Sequence, residues 1–296
     1  MKEIVNTDTV LRVPKWTFIK WKTNFSVSNL FLFVSIVIVL FIIGCAIFPK
    51  WIAPYSPTYM NTELILGKPS ATHWFGTDYF GRDVFSLVIY GSRDSIIIGV
   101  ASVLIGGIIG GIIGVLAGYI GGFVDAVLMR LIEILMTIPS ILLALAIAAA
   151  LGPSLFNIVL AVAASAIPGY ARVMRGQMMS IKQRQFVDAS RSIGTPSWKI
   201  FLWHIWPNSW SPLFVMGTIG LGTSILIGSG LSFLGLGIIK EIPDWGALLS
   251  QGRGYLTVSW WISSFPGLAI TLFVLTINII GDRLRDSFDP KTSNTR

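Results

Sequence analysis

The sequence predicts an all-α, polytopic membrane protein with six transmembrane helices. Hydrophobic residues make up 53% of its 296 residues, charged residues only 12%, and the mean hydropathy is +0.74. Soluble domains carry about twice that share of charge, because their surfaces face water. Several charge-free stretches also reach the length of roughly 20 residues that a helix needs to cross a bilayer. Lipid is therefore the expected solvent for much of the chain.

Six spans follow from the charge-free stretches and from the residues that interrupt them. The stretch between Glu133 and Arg172 is too long for one helix, and residues 152–154 (Gly-Pro-Ser) divide it. The predicted spans are residues 29–48, 95–118, 134–151, 155–170, 210–229 and 260–281. The resulting segments are an N-terminal segment 1–28, the first span, an extracellular segment 49–94, a five-helix core 95–281 and a tail 282–296.

The distribution of basic residues predicts the orientation in the membrane. An even number of spans places both termini on one side. The segments on that side contain 16 of the 22 basic residues: Lys2, Arg12, Lys15, Lys20, Lys22, Arg130, Arg172, Arg175, Lys182, Arg184, Arg191, Lys199, Arg283, Arg285, Lys291 and Arg296. The opposite segments contain the other 6: Lys50, Lys68, Arg82, Arg93, Lys240 and Arg253. Because cytoplasmic loops carry the excess of Lys and Arg, both termini are expected in the cytoplasm. The net charge of +8 then needs no nucleic-acid partner.

The second predicted span carries a glycine stripe at intervals of four residues: Gly106, Gly110, Gly114 and Gly118. Small residues at this spacing share one helix face and let a second backbone approach closely in lipid. The stripe predicts tight helix packing.

The longest cytoplasmic loop, residues 171–207, has the pattern of two short helices joined by a glycine. Residues 183–193 predict an amphipathic helix. One face holds Phe186, Ala189, Ser190 and Ile193. The other face holds Arg184, Asp188 and Arg191, and Asp188 is spaced to pair with both arginines. Such a helix either lies on the bilayer surface or docks on a partner protein.

The second half of this loop contains the signals of a helix end and a new start. Gly194 is expected just after the first helix, where a positive φ is tolerated. Thr195 as N-cap and Pro196 in the first position predict a second helix, which is expected to stop at Pro207.

The segment FVDASRSIGTPSWKIFLWHIWPN, residues 186–208, resembles the loop signature of ABC importer permeases. That signature reads EAA, three residues, Gly, nine residues and then I-x-L-P. Residues 188–190 (Asp-Ala-Ser) stand for EAA, Gly194 for the glycine and Pro207 for the proline. His204 and Trp206 depart from the Ile and Leu of the signature, and a histidine is frequent at that place in the peptide branch of the family.

Two further parts of the chain, the segment before the second span and the C-terminal half, resemble the C-type permease of the oligopeptide, dipeptide and nickel importers. HWFGTDYFGRDVFSLVIYGSRDS, residues 73–95, is similar to its segment before the second span. Residues 231–252, with LSFLGLG and PDWGALLSQG, and residues 265–290, with FPGLAI and NIIGDRLRDSFDP, are similar to its C-terminal half. The resemblance covers nearly the whole chain from the first span onward.

The resemblance implies a half-transporter with the type I ABC importer permease fold. It implies a homologous second permease, two cytoplasmic ATPase subunits and an extracellular substrate-binding protein as partners. ATP and Mg²⁺ are expected in the ATPase, and no cofactor is expected in this chain. The residues implied in coupling to the ATPase are Arg184, Phe186, Asp188, Ala189, Ser190, Arg191, Gly194 and Pro207.

Other functional classes find less support in the sequence. No GxxxxGK[ST] motif is present, so the chain is not expected to be the ATPase. Asp125, Arg130 and Glu133 flank the spans, whereas proton-coupled carriers bury acidic groups near the midplane. No catalytic residue and no metal site is predicted. An ion-channel subunit remains an alternative, and its discriminator is homo-oligomeric assembly.

The substrate and the residues that line its pathway are less well determined by the sequence. Peptides are the first expectation, with nickel or a metal–chelator complex as the alternative. The spans contain hydroxyl and amide groups but no central charge, and Ser224 and Thr276 are candidate pathway residues. A pathway of weak polar groups suits a partly hydrated solute, so no high-affinity site is expected in this chain.

Overall fold

The structure is a computed structural model that describes residues 27–288. The predicted N-terminal segment 1–28 lies almost wholly outside the described residues, as does the second half of the tail 282–296. The α-helices are α1 (Val27–Ile47), α2 (Pro49–Ile52), α3 (Val84–Ile120), α4 (Gly122–Met136), α5 (Ser140–Leu151), α6 (Leu155–Lys182), α7 (Gln185–Ser192), α8 (Ser197–Ile200), α9 (Trp206–Leu231), α10 (Trp245–Gly252) and α11 (Trp261–Phe288). The described part contains no β-strand, so the predicted all-α class is confirmed.

Five helical segments are long and apolar enough to span a membrane, and α4 and α5 together form a sixth candidate. The two are bent by 88° across a short break, so they form either one broken span or a loop that re-enters on the same side. The packing of α3 against α6 decides between these possibilities.

The glycine stripe of α3 packs directly on the backbone of α6, as predicted. A Cβ atom on Gly106 would lie 3.0 Å from the carbonyl oxygen of Ala163, and one on Gly110 would lie 2.6 Å from that of Ile167. Since the residue numbers rise together along both helices, α3 and α6 run parallel. A chain that leaves α3 on one side and enters α6 from the other must cross the membrane between them. The pair α4–α5 is therefore the third of six spans.

The remaining spans alternate in direction. Gly99 faces Ile225 and Gly111 faces Leu213, so α9 runs antiparallel to α3. The contacts between α9 and α11 pair early residues of one helix with late residues of the other, so these two helices also run antiparallel. A hydrogen bond from the Tyr55 N–H to a serine hydroxyl (3.2 Å) places the end of α1 beside the start of α3. We call this side of the molecule the outer side, because the sequence predicts it to be extracellular, and the opposite side the inner side. The start of α1, the α6–α9 connection and the end of α11 consequently share one face of the molecule.

The second and fourth predicted spans differ most in length from the observed helices, which are much longer. The second span was expected at 95–118, but α3 begins at Val84, where Asp83 caps it by accepting the Ser86 N–H (2.8 Å). The fourth was expected at 155–170, but α6 continues to Lys182 because Met174 and Met178, one turn apart, are buried beside α3.

The predicted continuous third span, residues 134–151, is wrong, because the helix breaks at residues 137–139. Pro139 has no N–H to continue the helix, and its ring disfavours the helical conformation at Ile138. The Thr137 hydroxyl donates to the Ile134 carbonyl (2.6 Å), which satisfies one acceptor at the break.

An outer cap, residues 53–83 and 237–260, covers the outer ends of the spans and carries buried charges. Arg82 donates through Nε to Asp78 (2.8 Å) and through Nη1 to the Glu241 carbonyl (3.1 Å). His73 Nδ1 lies 2.9 Å from the carboxylate of Asp83, the residue that caps α3. These interactions join both parts of the cap to the start of α3.

The cap also contains Asp244, a buried carboxylate at the start of α10. It accepts the N–H groups of Gly246 (2.8 Å) and Ala247 (3.0 Å) and the Ser232 hydroxyl (2.9 Å). Burial raises the pKa of the Asp244 carboxyl, and these hydrogen bonds oppose the shift. Asp244 therefore ties α10 to the outer end of α9.

Candidate coupling elbow and membrane cavity

The connection between α6 and α9, residues 183–207, forms a projecting helical turn that we call the elbow. Its base is fixed to the inner end of α3. Lys182 donates to the Tyr119 carbonyl (2.7 Å), which places a cation at the C-terminal end of the α3 dipole. The Tyr119 hydroxyl donates to the Ser197 carbonyl (3.1 Å), so Tyr119 contacts both the end of α6 and the second half of the elbow.

Val187 anchors α7 to the body of the protein, a role that the sequence did not reveal. It is fully buried among Met178, Ile181, Ile200 and Ile205. A single inward valine leaves no helical periodicity, so only the tertiary contacts identify it. One apolar side chain therefore fixes which face of α7 points outward.

The predicted apolar edge of α7 is the face that remains open. Ile193 is 82% exposed, Phe186 is partly exposed, and Trp198 of α8 is also exposed. An exposed apolar edge on a loop that projects from the ends of the spans is a surface suited to a partner. Ala189 is also exposed, and Ser190 is half-buried with its hydroxyl bonded to the Phe186 carbonyl.

The charged face differs from the prediction in one contact. Asp188 lies 3.4 Å from Arg191, as expected for residues one turn apart. Arg184 does not join this pair, because it is the N-cap of α7, and its extended ψ of 144° takes it out of the helical register. The prediction that Asp188 pairs with both arginines is wrong.

Gly194 closes α7 as the sequence predicts. Its φ is +80° and its N–H donates to the Arg191 carbonyl (2.9 Å), while the Thr195 N–H donates to the Ser190 carbonyl (3.1 Å). This pair of bonds is the Schellman arrangement, which requires a residue of positive φ at this position. The predicted helix–glycine–helix turn is confirmed.

The second helix of the elbow differs from the prediction at both ends. Pro196, and not Thr195, is the N-cap, and the helix starts at Ser197. It does not stop at Pro207 but passes through a π-helical turn, Phe201–Ile205, directly into α9. In that turn the Trp206 N–H donates to the Phe201 carbonyl, five residues back. Pro207 is the second residue of α9 and directly follows this π-helical turn, so it lies within a continuous helical segment.

A charged cleft of about 440 Å³ lies between the elbow and the start of α4. Asp188 and Arg191 line it together with Asp125 and Lys182. Asp125 also accepts two hydrogen bonds from Arg175 of α6, one of them 2.6 Å from Nη2. The broken third span is thus fixed at its inner end beside the elbow.

A second cavity of about 400 Å³ lies between the break in the third span, α6 and α9. Its walls are largely apolar, with hydroxyl groups from Ser165 and Ser224 among them. Ser224, one predicted pathway residue, therefore borders an open space although the residue itself is buried. Thr276, the other, is buried with its hydroxyl bonded to carbonyls of its own helix. Their assignment to the pathway stays a prediction.

The chain matches a known family over most of this architecture. Residues 110–294 match the family described as "Binding-protein-dependent transport system inner membrane component". The match covers more than half of the chain and includes the elbow, both cavities and the last two spans.

Individual relatives are similar over most of their length. The chain is 44% identical over 257 residues to the probable D,D-dipeptide transport system permease protein of Escherichia coli K12, covering 87% of this chain and 86% of that protein. It is 41% identical over 266 residues to the di/tripeptide transport system permease protein of Pseudomonas aeruginosa, covering 88% of each. It is 43% identical over 254 residues to the glutathione transport system permease protein of Escherichia coli, covering 86% of this chain and 84% of that protein.

A solved structure shows a similar fold. The inward-facing MetNI methionine ABC transporter contains a chain that superposes with a TM-score of 0.57 at 20% identity, covering 69% of this chain and 98% of that one. At 20% identity, this similarity is evidence for the fold alone. The predicted type I importer fold is confirmed.

Proposed function

Because the chain belongs to the family of binding-protein-dependent transport system inner membrane components, we propose that it is the C-type permease subunit of an ABC importer for peptides. It pairs with a homologous second permease, and each contributes half of the pathway. Two cytoplasmic ATPase subunits bind ATP and Mg²⁺, and an extracellular binding protein delivers the solute.

The observation that supports coupling is the exposed apolar edge of the elbow. Ile193 and Phe186 stand outward while Val187 holds α7 to the protein, so force applied to the edge is transmitted to α6 and α9. The exposed charges of Arg184, Asp188 and Arg191 set the register with the ATPase, because charged rims favour orientation over affinity.

Peptides are favoured as the solute because the printed names of three relatives specify dipeptides, di/tripeptides and glutathione. All three are short peptides. Nickel and metal–chelator complexes are carried by permeases with the same motifs and are the alternative outcome of the uptake test below.

The first experiment tests the assembly. The tagged chain is purified from its native membranes in mild detergent, and the subunits are identified by mass spectrometry. The expected complex contains this chain, a homologous permease and ATPase subunits with a P-loop motif. The expected ratio of these three components is 1:1:2, so that two permeases pair with two ATPase subunits. Recovery of the chain only as a homo-oligomer would favour the channel alternative.

The second experiment identifies the solute. A strain lacking this chain is compared with the same strain carrying it on a plasmid, using labelled di- and tripeptides in one assay and ⁶³Ni²⁺ in another. Peptide uptake that depends on the chain supports the proposal. Uptake of nickel alone would replace it with the metal alternative.

The third experiment tests the orientation, in which both termini are cytoplasmic. In a Cys45→Ala background, Thr62→Cys in the outer cap is expected to react with a membrane-impermeant thiol reagent added to intact cells. Ser293→Cys in the tail is expected to react only after the cells are opened. The opposite pattern would reverse the orientation.

A further inference from the structure

The break in the third span lies near the middle of the membrane and remains open to one side. Ile138 at the break is 42% exposed. The cavity beside the break also contacts Tyr170 and Gly220, and Gly220 is near the centre of α9. Tyr170 in turn packs on Gly110, near the centre of the apolar part of α3. These neighbours place the break at mid-depth.

Irregular backbone at this depth cannot face lipid. Unpaired N–H and C=O groups in hydrocarbon are costly, so such segments are found only where protein or a water-filled cavity covers them. Within the described residues no protein covers the exposed side of Ile138, Pro139 and Ser140. The exposed side of the break is therefore expected to meet either water or a partner subunit.

The start of α5 provides hydrogen-bond donors at the break. Pro139 is its N-cap, and no side chain in the described part of the chain caps this end. The Pro139 carbonyl accepts from Leu142 (2.9 Å) and Leu143 (3.0 Å). The N–H groups of Ser140 and Ile141 precede these residues in the first turn, where a helix offers no internal acceptor. The positive end of the α5 dipole is at the same place.

A second, independent donor lines the same cavity. Tyr170 is only 2% exposed, and its hydroxyl has no hydrogen-bond partner among the described residues. It lies directly under Gly220, which is also part of the cavity wall. Buried hydroxyl groups are almost always paired, because an unpaired one loses its bonds to water without replacement. The missing acceptor is therefore one that the described chain does not contain.

We infer that the break in the third span faces the translocation pathway and is a transient subsite for the oxygen acceptors of the passing solute. Its donors are the first-turn N–H groups of α5 and the hydroxyl of Tyr170. For a peptide solute, which rests on the proposed function, the acceptors are backbone carbonyl oxygens and the terminal carboxylate. Discontinuous helices bind anionic substrate groups at mid-membrane by the same physics.

The arrangement favours weak and conformation-dependent contact. Gly220 covers the Tyr170 hydroxyl in this conformation, so contact with a solute requires α9 to move away. The cavity of about 400 Å³ is within the size range of small-molecule sites. Most of its wall is apolar, so the solute is oriented by few polar groups and is not held tightly.

The first arm of the test measures access to water and needs no knowledge of the solute. In a Cys45→Ala background, Ile138→Cys is compared with Val37→Cys, which is 48% exposed at the middle of α1. Because only the thiolate reacts with a charged thiosulfonate reagent, labelling of Ile138→Cys in the assembled transporter is expected to be ~10-fold faster. Equal and slow labelling of the two variants would overturn the inference.

The second arm isolates one backbone donor. Ser140→Pro removes the N–H and the hydroxyl, whereas Ser140→Ala removes only the hydroxyl. Proline is well suited to this first helical position, and the ψ of 133° at Pro139 is compatible with a following proline. The proline variant is expected to lower uptake of labelled di- and tripeptides about threefold to tenfold relative to the alanine variant. Equal uptake by the two variants contradicts a donor role.

The third arm separates a functional hydroxyl from a structural one. Since the Tyr170 hydroxyl has no partner in the chain, Tyr170→Phe is expected to leave thermal stability unchanged or raise it. Peptide uptake is expected to fall about threefold to tenfold. Ser165→Ala is the matched control, because that hydroxyl lines the same cavity but already donates to the Val162 carbonyl (2.8 Å).

The outcomes separate this inference from the proposed function. If the wild-type complex takes up no peptide, the peptide proposal fails, and the labelling rates still decide whether the break faces water. If the wild type transports peptides and Tyr170→Phe and Ser140→Pro do so equally well, the subsite is wrong and the importer remains.

Discussion

The outer cap and the elbow, at opposite ends of the spans, differ in whether their charged residues are buried or exposed. In the cap, Asp78, Arg82 and Asp83 are buried and bonded to each other or to the backbone. In the elbow, the Asp188–Arg191 pair is exposed and Ile193 faces outward. The cap pairs these charges within the chain, whereas the elbow leaves its charges exposed. We infer that buried ion pairs hold the cap on the helices and that the elbow is built for a partner.

The two regions also differ in how they are attached. The cap is held at several places, by the Asp83 cap of α3, by Asp244 and by the bond from Trp261 Nε1 to the Thr77 carbonyl (3.0 Å). The elbow is held by the buried cluster around Val187, by Lys182 at its base and by the bond from the Tyr119 hydroxyl to the Ser197 carbonyl. These attachments converge on the ends of α3 and α6, so we expect the elbow to move together with these two helices.

The largest expected effect is on stability, when the ion pair of the cap is removed and compared with that of the elbow. Arg82→Ala leaves the buried Asp78 carboxylate without its cation and is expected to destabilise the protein by about 3–5 kcal/mol. Arg191→Ala removes an exposed pair, so its expected cost is under about 1 kcal/mol. Thermal unfolding of the detergent-purified complexes measures both variants. Similar losses in the two would remove the distinction between a closed cap and an open elbow.

The next effect concerns the turn in the elbow. Gly194→Val forces a β-branched residue into a φ of +80°, a strain of about 1–3 kcal/mol that changes the direction of α8. Peptide uptake is expected to fall at least about tenfold, while membrane insertion is retained.

Gly176→Val is the matched control for this substitution. Gly176 is an exposed α6 glycine without a positive φ, and a Cβ there would contact nothing within 4 Å. Peptide uptake by the Gly176→Val variant is expected to be normal. Normal uptake by Gly194→Val at wild-type expression would show that the turn has no part in coupling.

Substitutions on the two opposite faces of α7 are expected to cause different defects, both of intermediate size. Ile193→Ser removes exposed apolar surface and is expected to weaken binding of the ATPase subunits about tenfold without loss of stability. Val187→Ser loosens the anchor, so cleavage of the elbow by added protease is expected to increase. Retention of the ATPase on the immobilised permease at increasing salt measures the first effect. Unchanged retention would place the docking surface elsewhere.

The smallest effect concerns the pH dependence of the cap. Because burial raises the pKa of Asp244, the folded state holds its proton more tightly than the unfolded state does. The contribution of this group to stability is therefore greatest at low pH and decreases as the pH rises through the raised pKa. Asp244→Asn, which keeps an N-capping side chain, is expected to remove this decrease. The difference in Tm between wild type and variant across the acidic to neutral range is the measurement, and a constant difference would contradict the assignment.

Patterns with a strong local cause were predicted well. The spacing of four in the glycine stripe led to the α3–α6 packing, and Gly194 led to the positive φ in the elbow. The break at Pro139 was missed because the apolar run continues through it, so hydropathy alone does not detect it. The prediction that the helix stops at Pro207 was also wrong, because a π-helical turn precedes the proline and the helix continues through it.

The sequence by itself determined the solvent, the helical class and the family, because each depends on composition or on residues at fixed spacing along the chain. It also led to the pairing of Asp188 with Arg191 on α7, although not to the position of Arg184. Only the tertiary structure decided that Val187 points inward and Ile193 outward, and that Tyr170 is buried without a partner. Those properties depend on neighbours from α3, α6 and α9, which are far apart in sequence, and no local pattern encodes the distance between them.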